Sequence, residues 1–312
     1  MPRSRSIACS QASYIAIESI RQIPDTYKAV LLDQFGVLHD GQKPYPGSIE
    51  AVKALAESGR KILIISNSSR RSSGALGKLE KMGFPKDAFF GAITSGEVCH
   101  QALQNRPDDF YRSLGKRCVH ITWGARGAIS LGDLDVEVVE SIDEAEFLLA
   151  HGTECLGSAG DAEPREASLD EIRAVLEQGA KRDLPLLIAN PDIVTVSGSG
   201  LIVMPGTFGR WYKEMGGQVV LLGKPASAIY EVALEMLEVQ DPKQVLAIGD
   251  SMEHDIAGAQ AAGCDSLFVA GGIHAEEAGV QQNQQEMKRE GMEKLFSEHS
   301  TEPTFAISYL QC

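Results

Sequence analysis

The chain has 312 residues and a formal charge of −14 at pH 7, from 29 Lys and Arg against 43 Asp and Glu. That length predicts about two domains, and 43% hydrophobic with 23% charged residues predicts an ordinary apolar core. An acidic surface of this kind repels phosphate backbones, which argues against nucleic acid as a partner, and no apolar run approaches the ~20 residues of a membrane helix.

The start, MPRSRSIACSQASYIAIESI, has no acid before Glu18 and carries two arginines and several serines. Over residues 1–25 this composition fits either an organelle transit segment or a short disordered tail. KAVLLD (28–33) is the first strand-like run and leads into the helical pattern SIEAVKALAESG. KILIIS (61–66) leads into SSGALGKLEKMGF in the same way. Near Arg117 the pattern restarts with CVHITW, the acidic stretch DLDVEVVESIDEAEF, FLLAHG, a helix in SLDEIRAVLEQGAK with Ser168 as its N-cap, and PLLIAN. QVVLLG (218–223) then precedes SAIYEVALEMLEV, QVLAIGD (244–250) precedes HDIAGAQAAG, and DSLFVAGG (265–272) closes the series. The Glu-, Gln- and Lys-rich stretch 276–297 reads as a solvated helix or loop.

Short apolar runs without alternation belong in a parallel sheet covered on both faces. Their alternation with helices predicts a doubly wound α/β core. The expectation is a core split between residues 1–116 and 206–312, with residues 117–205 as an inserted α/β cap. Six widely spaced cysteines with no CxxC pair point to reduced thiols in an intracellular, cytoplasmic protein rather than a disulfide frame or zinc site.

Four signals fall at predicted strand ends, where a doubly wound sheet gathers ligands. They are Asp33 with Gly36; Ser66 with Asn67, Ser68 and Ser69; Lys224 in LLGKPA; and Asp250 with Asp255 in AIGDSMEHDIAGA. Each of the first three alone reads as a turn or a helix cap, and only the last, GDSMEHD, points beyond that by itself. Together they place three carboxylates, one ammonium and a hydroxyl/amide cluster at one sheet edge. Buried like charges need a cation between them, and an all-oxygen donor set suits Mg²⁺. Lys224 and Ser66 are then placed to hold a dianionic group, the requirement of phosphoryl transfer.

The order D-x-x-G-V-L, S-N-S, G-K-P, G-D-S-x-x-x-D resembles the haloacid-dehalogenase-like (HAD) hydrolases. With ANPD at 189–192, MPGTFG at 204–209 and a cap between the second and third motifs, it is similar to their class IIA branch of NagD-like and nitrophenylphosphatase-like enzymes with a C2-type cap. The resemblance implies a Rossmann-like core and a Mg²⁺-dependent phosphatase for a small phosphorylated metabolite, with homodimerisation left open. It implies Asp33 as the nucleophile that forms an aspartyl-phosphate. Ser66, Asn67 and Lys224 would lie around the phosphoryl group, Asn67 also fixing the nucleophile loop, and Asn190 and Asp192 would be substrate-facing cap residues. Metal ligands would be Asp33, the Phe35 backbone carbonyl, Asp250 and Asp255. The family's phosphatases carry an acid-base Asp two residues after the nucleophile, and here that residue is Phe35. His39 and Asp40, just beyond, are the expected substitutes, His39 because it titrates near neutral pH. His254 reads as facing solvent, and His274 as a loop histidine. The alternatives are a weakened phosphate-ligand binder or sensor, and a C–P or C–halogen hydrolase. The acidic pair argues against metal-free C–halogen cleavage, and the cap singles out no lysine for C–P cleavage.

Overall fold

The computed structural model describes residues 14–124, 126–160, 162–197, 200–280 and 287–312. Most of the transit-like start, with Cys9, lies outside the described residues. In chain order the strands are β1 (Ile15–Ala16), β2 (Ala29–Leu32), β3 (Lys61–Ser66), β4 (Gly91–Thr94), β5 (Arg117–Thr122), β6 (Glu137–Val138), β7 (Phe147–Ala150) and β8 (Cys155–Leu156). They continue with β9 (Arg165–Glu166), β10 (Leu186–Ile188), β11 (Val194–Ser197), β12 (Gly200–Val203), β13 (Val219–Leu221), β14 (Val245–Gly249), β15 (Asp265–Val269) and β16 (Phe305–Ile307).

One sheet runs β1-β16-β15-β14-β2-β3-β4 and is parallel at every pairing. Its inner strand β2 is buried along its whole length, as expected of an apolar run covered on both faces. The second sheet runs β13-β10-β7-β5-β8-β9, with β6 beside β5. Its strands β13, β10, β7 and β5 are parallel. β11 and β12 form a separate antiparallel hairpin.

Two features depart from the sequence reading. QVVLLG was expected in the core, yet β13 pairs with β10 in the second sheet, Leu186 opposite Val219. The expected boundary at 205 falls at the first residue of helix Pro205–Glu214, whose buried Phe208 and Tyr212 pack into the second sheet's apolar cluster. The physical reason is that a short apolar run before a helix reads the same in either sheet, and periodicity does not say which one pairs with it. The stretch 276–297 also differs. Residues 281–286 lie outside the described residues, but helix Arg289–His299 buries Met292, Leu295 and Phe296 against Phe268.

The two sheets share apolar contacts. Leu31 and Leu63 of the first belong to one cluster with Phe147, Leu149 and Leu187 of the second. No helix among the described residues is long and apolar enough to cross a membrane.

Candidate active site

β2 and β14 are neighbours in register, Leu32 opposite Ile248. The chain therefore delivers Asp33 and Asp250 to the same carboxyl edge. Gly36 makes the turn after β2 in the left-handed region at φ 85°, and a Cβ there would lie 1.9 Å from Asp250 Oδ2. No side chain fits, so the loop after Asp33 presses directly on the second carboxylate. Asp255 follows from the turn Met252–Ile256, where its Oδ2 accepts the Ser251 N–H at 3.1 Å. Asp250 Oδ2 accepts the Ile273 N–H at 2.7 Å.

Lys224 joins these groups. Its Nζ donates to Asp33 Oδ1 at 2.6 Å and to Asp255 Oδ1 at 2.7 Å, and the residue is only 3% exposed. Burial alone would lower the ammonium pKa, but Asp255 and Asp33 hold it well above the ordinary lysine value. Burial pushes the Asp33 carboxyl up to about 7, against the pull of Lys224 and with help from Asp255. Burial, then the charges of Asp33 and Asp255, raises Asp250 well above the carboxylate range.

Asp33, Asp250 and Asp255 each offer an oxygen within 4.8 Å of the others, and all three are buried. Three carboxylates against one ammonium leave two uncompensated negative charges when all are ionised. A divalent, oxygen-seeking cation balances that charge and suits that donor set. The residues present fit such an ion.

Asp33, Lys224, Asp250 and Asp255 border a cavity of about 260 Å³, together with Ser66 and Phe35. Ser66 ends β3, the other neighbour of β2. Asn67 corrects the sequence reading. Its two amide hydrogens go to Asp192 Oδ1 at 2.8 Å and the Lys224 carbonyl at 3.1 Å. Its Oδ1 accepts from the Lys224 N–H at 2.8 Å. With both side-chain hydrogens committed, the Asn67 carboxamide has none left for phosphate and instead ties Lys224 to Asp192. Asn190 is buried with Oδ1 on the Asp192 N–H, and it borders a larger neighbouring cleft of about 650 Å³. Asp192 borders both spaces.

Phe35 is 41% exposed and stands where the two spaces meet. Neither expected substitute for its missing carboxyl suits that task. His39 is buried, its Nδ1 accepts the Gly41 N–H at 3.0 Å, and it borders the larger cleft rather than the Asp33 cavity. Burial, then the nearby Lys78 charge, pushes its pKa down to about 4, so it is uncharged at neutral pH. Asp40 borders the Asp33 cavity, but its Oδ1 accepts the Lys43 and Gln42 N–H groups at 2.8 and 2.9 Å. Those bonds hold its pKa below the usual range, so at neutral pH it has no proton to give.

The residue missed is His254. It borders the Asp33 cavity, with Nδ1 3.1 Å from Ser251 Oγ and 4.0 Å from Asp192 Oδ1. The Ser251 hydroxyl also accepts the His254 N–H at 3.2 Å, folding the turn so that the imidazole faces the cavity rather than solvent. The S-x-x-H spacing was the available signal. His274 meets Glu277 and accepts the Met252 N–H at 3.4 Å.

Comparison with known proteins agrees with this geometry. A family model described as haloacid dehalogenase-like hydrolase matches residues 30–133, and a HAD-hydrolase-like model matches residues 221–288. A haloacid dehalogenase-like family hydrolase from Brucella suis 1330 is 29% identical with a TM-score of 0.73, covering 94% of this chain and 99% of that one. Chronophin from Bos taurus is 26% identical, over 83% of this chain and 86% of its own length. The 5'-nucleotidase YutF from Bacillus subtilis is 25% identical, over 81% of this chain and 90% of its own. With Asp33 and Asp250 at the carboxyl edge of the first sheet, Lys224 reaching Asp33 and Asp255 from the end of β13 in the second, and these matches spanning both parts of the first sheet, the chain belongs to the haloacid dehalogenase-like hydrolases.

Proposed function

We propose that this protein is a Mg²⁺-dependent phosphatase for a small phosphorylated metabolite, working through a phosphoryl group carried on Asp33. The observation that carries this reading is the buried Asp33–Lys224–Asp255 ion triplet with Asp250 beside it. Such a cluster is costly to bury unless it has a charged ligand to bind. The name of the relative 5'-nucleotidase YutF supports the same class.

Asp33 attacks phosphorus, and the bond from phosphorus to the ester oxygen breaks. Lys224 and the Ser66 hydroxyl stabilise the equatorial phosphoryl oxygens as charge spreads over them. His254 gives its proton to the departing oxygen and then takes one from the water that attacks the aspartyl-phosphate, releasing phosphate and restoring Asp33. Asp192, 4.0 Å from the His254 ring, steadies the cationic imidazole. Mg²⁺, when held by Asp33, Asp250 and Asp255 with the Phe35 carbonyl, supplies positive charge against the incoming dianion. The test is hydrolysis of 4-nitrophenyl phosphate with Mg²⁺ and with EDTA, in wild type and Asp33→Asn. Metal-dependent turnover lost in the variant is expected. Metal-independent turnover, or turnover by a folded Asp33→Asn protein, overturns the reading.

A further inference from the structure

The larger cleft continues past Phe35 and shares Phe35, Asp40, Ser66, Asp192 and Thr195 with the Asp33 cavity. In a chain of net charge −14 it is bordered by four cations, Arg70, Arg71, Lys78 and Arg126. Three already have work. Arg71 pairs with Glu97 at 2.7 Å. Arg126 lies 3.8 Å from Glu154 and over the Trp123 ring. Arg70 donates to the Arg126 carbonyl. The Lys78 side chain has no ion-pair or hydrogen-bond partner among the described residues.

His39 borders the same cleft, and its Nε2 is buried with no partner. Because Nδ1 accepts the Gly41 N–H, the neutral ring carries its proton on Nε2. The orphaned atom is therefore a donor, and a buried donor without an acceptor is costly. Lys78 is near enough for its charge to act on the His39 ring. The acids bordering the cleft do not meet this demand. Asp40 accepts from Gln42 and Lys43, and Asp192 accepts from Asn67.

We infer that this cleft is a second anion subsite. The substrate is then a doubly acidic phosphate ester, its phosphoryl group at Asp33 and a carboxylate or second phosphate at Lys78 and His39. The exposed Phe35 ring lies between the two and meets the apolar link. An exposed aromatic group inside a polar site thereby gains a purpose. The assignment of the first group rests on the phosphatase reading, whereas the two-anion geometry does not.

The test uses the full-length Asp33→Asn protein with Mg²⁺ and calorimetric binding of three ligand series of graded chain length. These are alkyl monophosphates, α,ω-alkanediol bisphosphates and ω-carboxyalkyl phosphates. At one chain length a second acid should tighten binding at least tenfold over the monophosphate, and the series that gains distinguishes phosphate from carboxylate. In Asp33→Asn/Lys78→Gln that affinity ratio should fall toward one. No gain at any length, or a gain that survives Lys78→Gln, overturns the inference. If wild type fails to hydrolyse 4-nitrophenyl phosphate while the Lys78-dependent gain is present, the phosphatase reading falls and the two-anion site stands.

Discussion

Adding Mg²⁺ to the metal-free protein at two pH values probes the carboxylate cluster directly. Bound metal requires ionised ligands, so binding must release the protons that burial holds on the acids. Asp33 keeps its proton up to about pH 7, and Asp250 is raised well above its ordinary range. At pH 5.5, roughly 1.5 units below the Asp33 value, displacing that one proton costs about 2 kcal/mol, or about 30-fold in affinity. The Asp250 proton adds to this. Folding raises both acids, so in the metal-free protein their contribution to stability is full below ordinary carboxylate pKa values; that of Asp33 is lost as pH rises through about 7, and that of Asp250 is lost as pH rises above the ordinary carboxylate range. The stabilisation by Mg²⁺ should therefore grow from pH 5.5 to pH 8. His39, His120 and His151 run the other way, because burial lowers their pKa values. They are common to both arms and drop out of the difference. Calorimetric titration in buffers of different ionisation enthalpy counts the protons, and melting curves with Mg²⁺ or EDTA report the stability. Equal affinity at both pH values with no proton release at pH 5.5 would refute the reasoning.

Asp33→Asn should reduce turnover by about 10⁴-fold or more and keep a cooperative melting transition, read by circular dichroism. Lys224→Met leaves Asp33 and Asp255 without their ammonium; a loss of about 3–5 kcal/mol in EDTA, partly recovered by Mg²⁺, should be visible in urea unfolding. His254→Gln should slow alkyl phosphates by about 10²-fold and leave nitrophenyl phosphate, with its good leaving group, much less affected; equal losses on both would remove His254 from proton transfer. Adding Phe35→Asp to His254→Gln should restore part of the alkyl-phosphate rate, measured by phosphate release.

The catalytic edge was legible because its chemistry is local. Asp33, Ser66 and Asp250 each close a short apolar run of the first sheet, which brings such ends together whatever the spacing between them, and Lys224 reaches the same place from the end of β13 in the second sheet. What lay beyond reach depended on pairing and side-chain direction. Val219–Leu221 has the same appearance in either sheet, and its neighbour Leu186–Ile188 lies across a helix in the chain. The Asn67 side chain looked like a phosphate donor until its two amide hydrogens were traced to Asp192 and Lys224. His39 looked titratable until its burial was seen, and His254 looked solvent-facing until the Ser251 hydroxyl was found to fold the turn.

The pairing of Ala29 with Val245 also sets an order of events during synthesis. The nucleophile's strand gains its second neighbour only after about two hundred further residues have been made, a wait of roughly ten to forty seconds on a ribosome. Every strand of the second sheet lies within that interval. The second sheet can therefore close while the first is still half-built. Until Val245–Gly249 arrives, Ala29–Leu32 presents an unpaired apolar edge, the kind of edge that pairs wrongly with other chains. The nascent chain is thus at greatest risk of misassembly just before its active site comes into being.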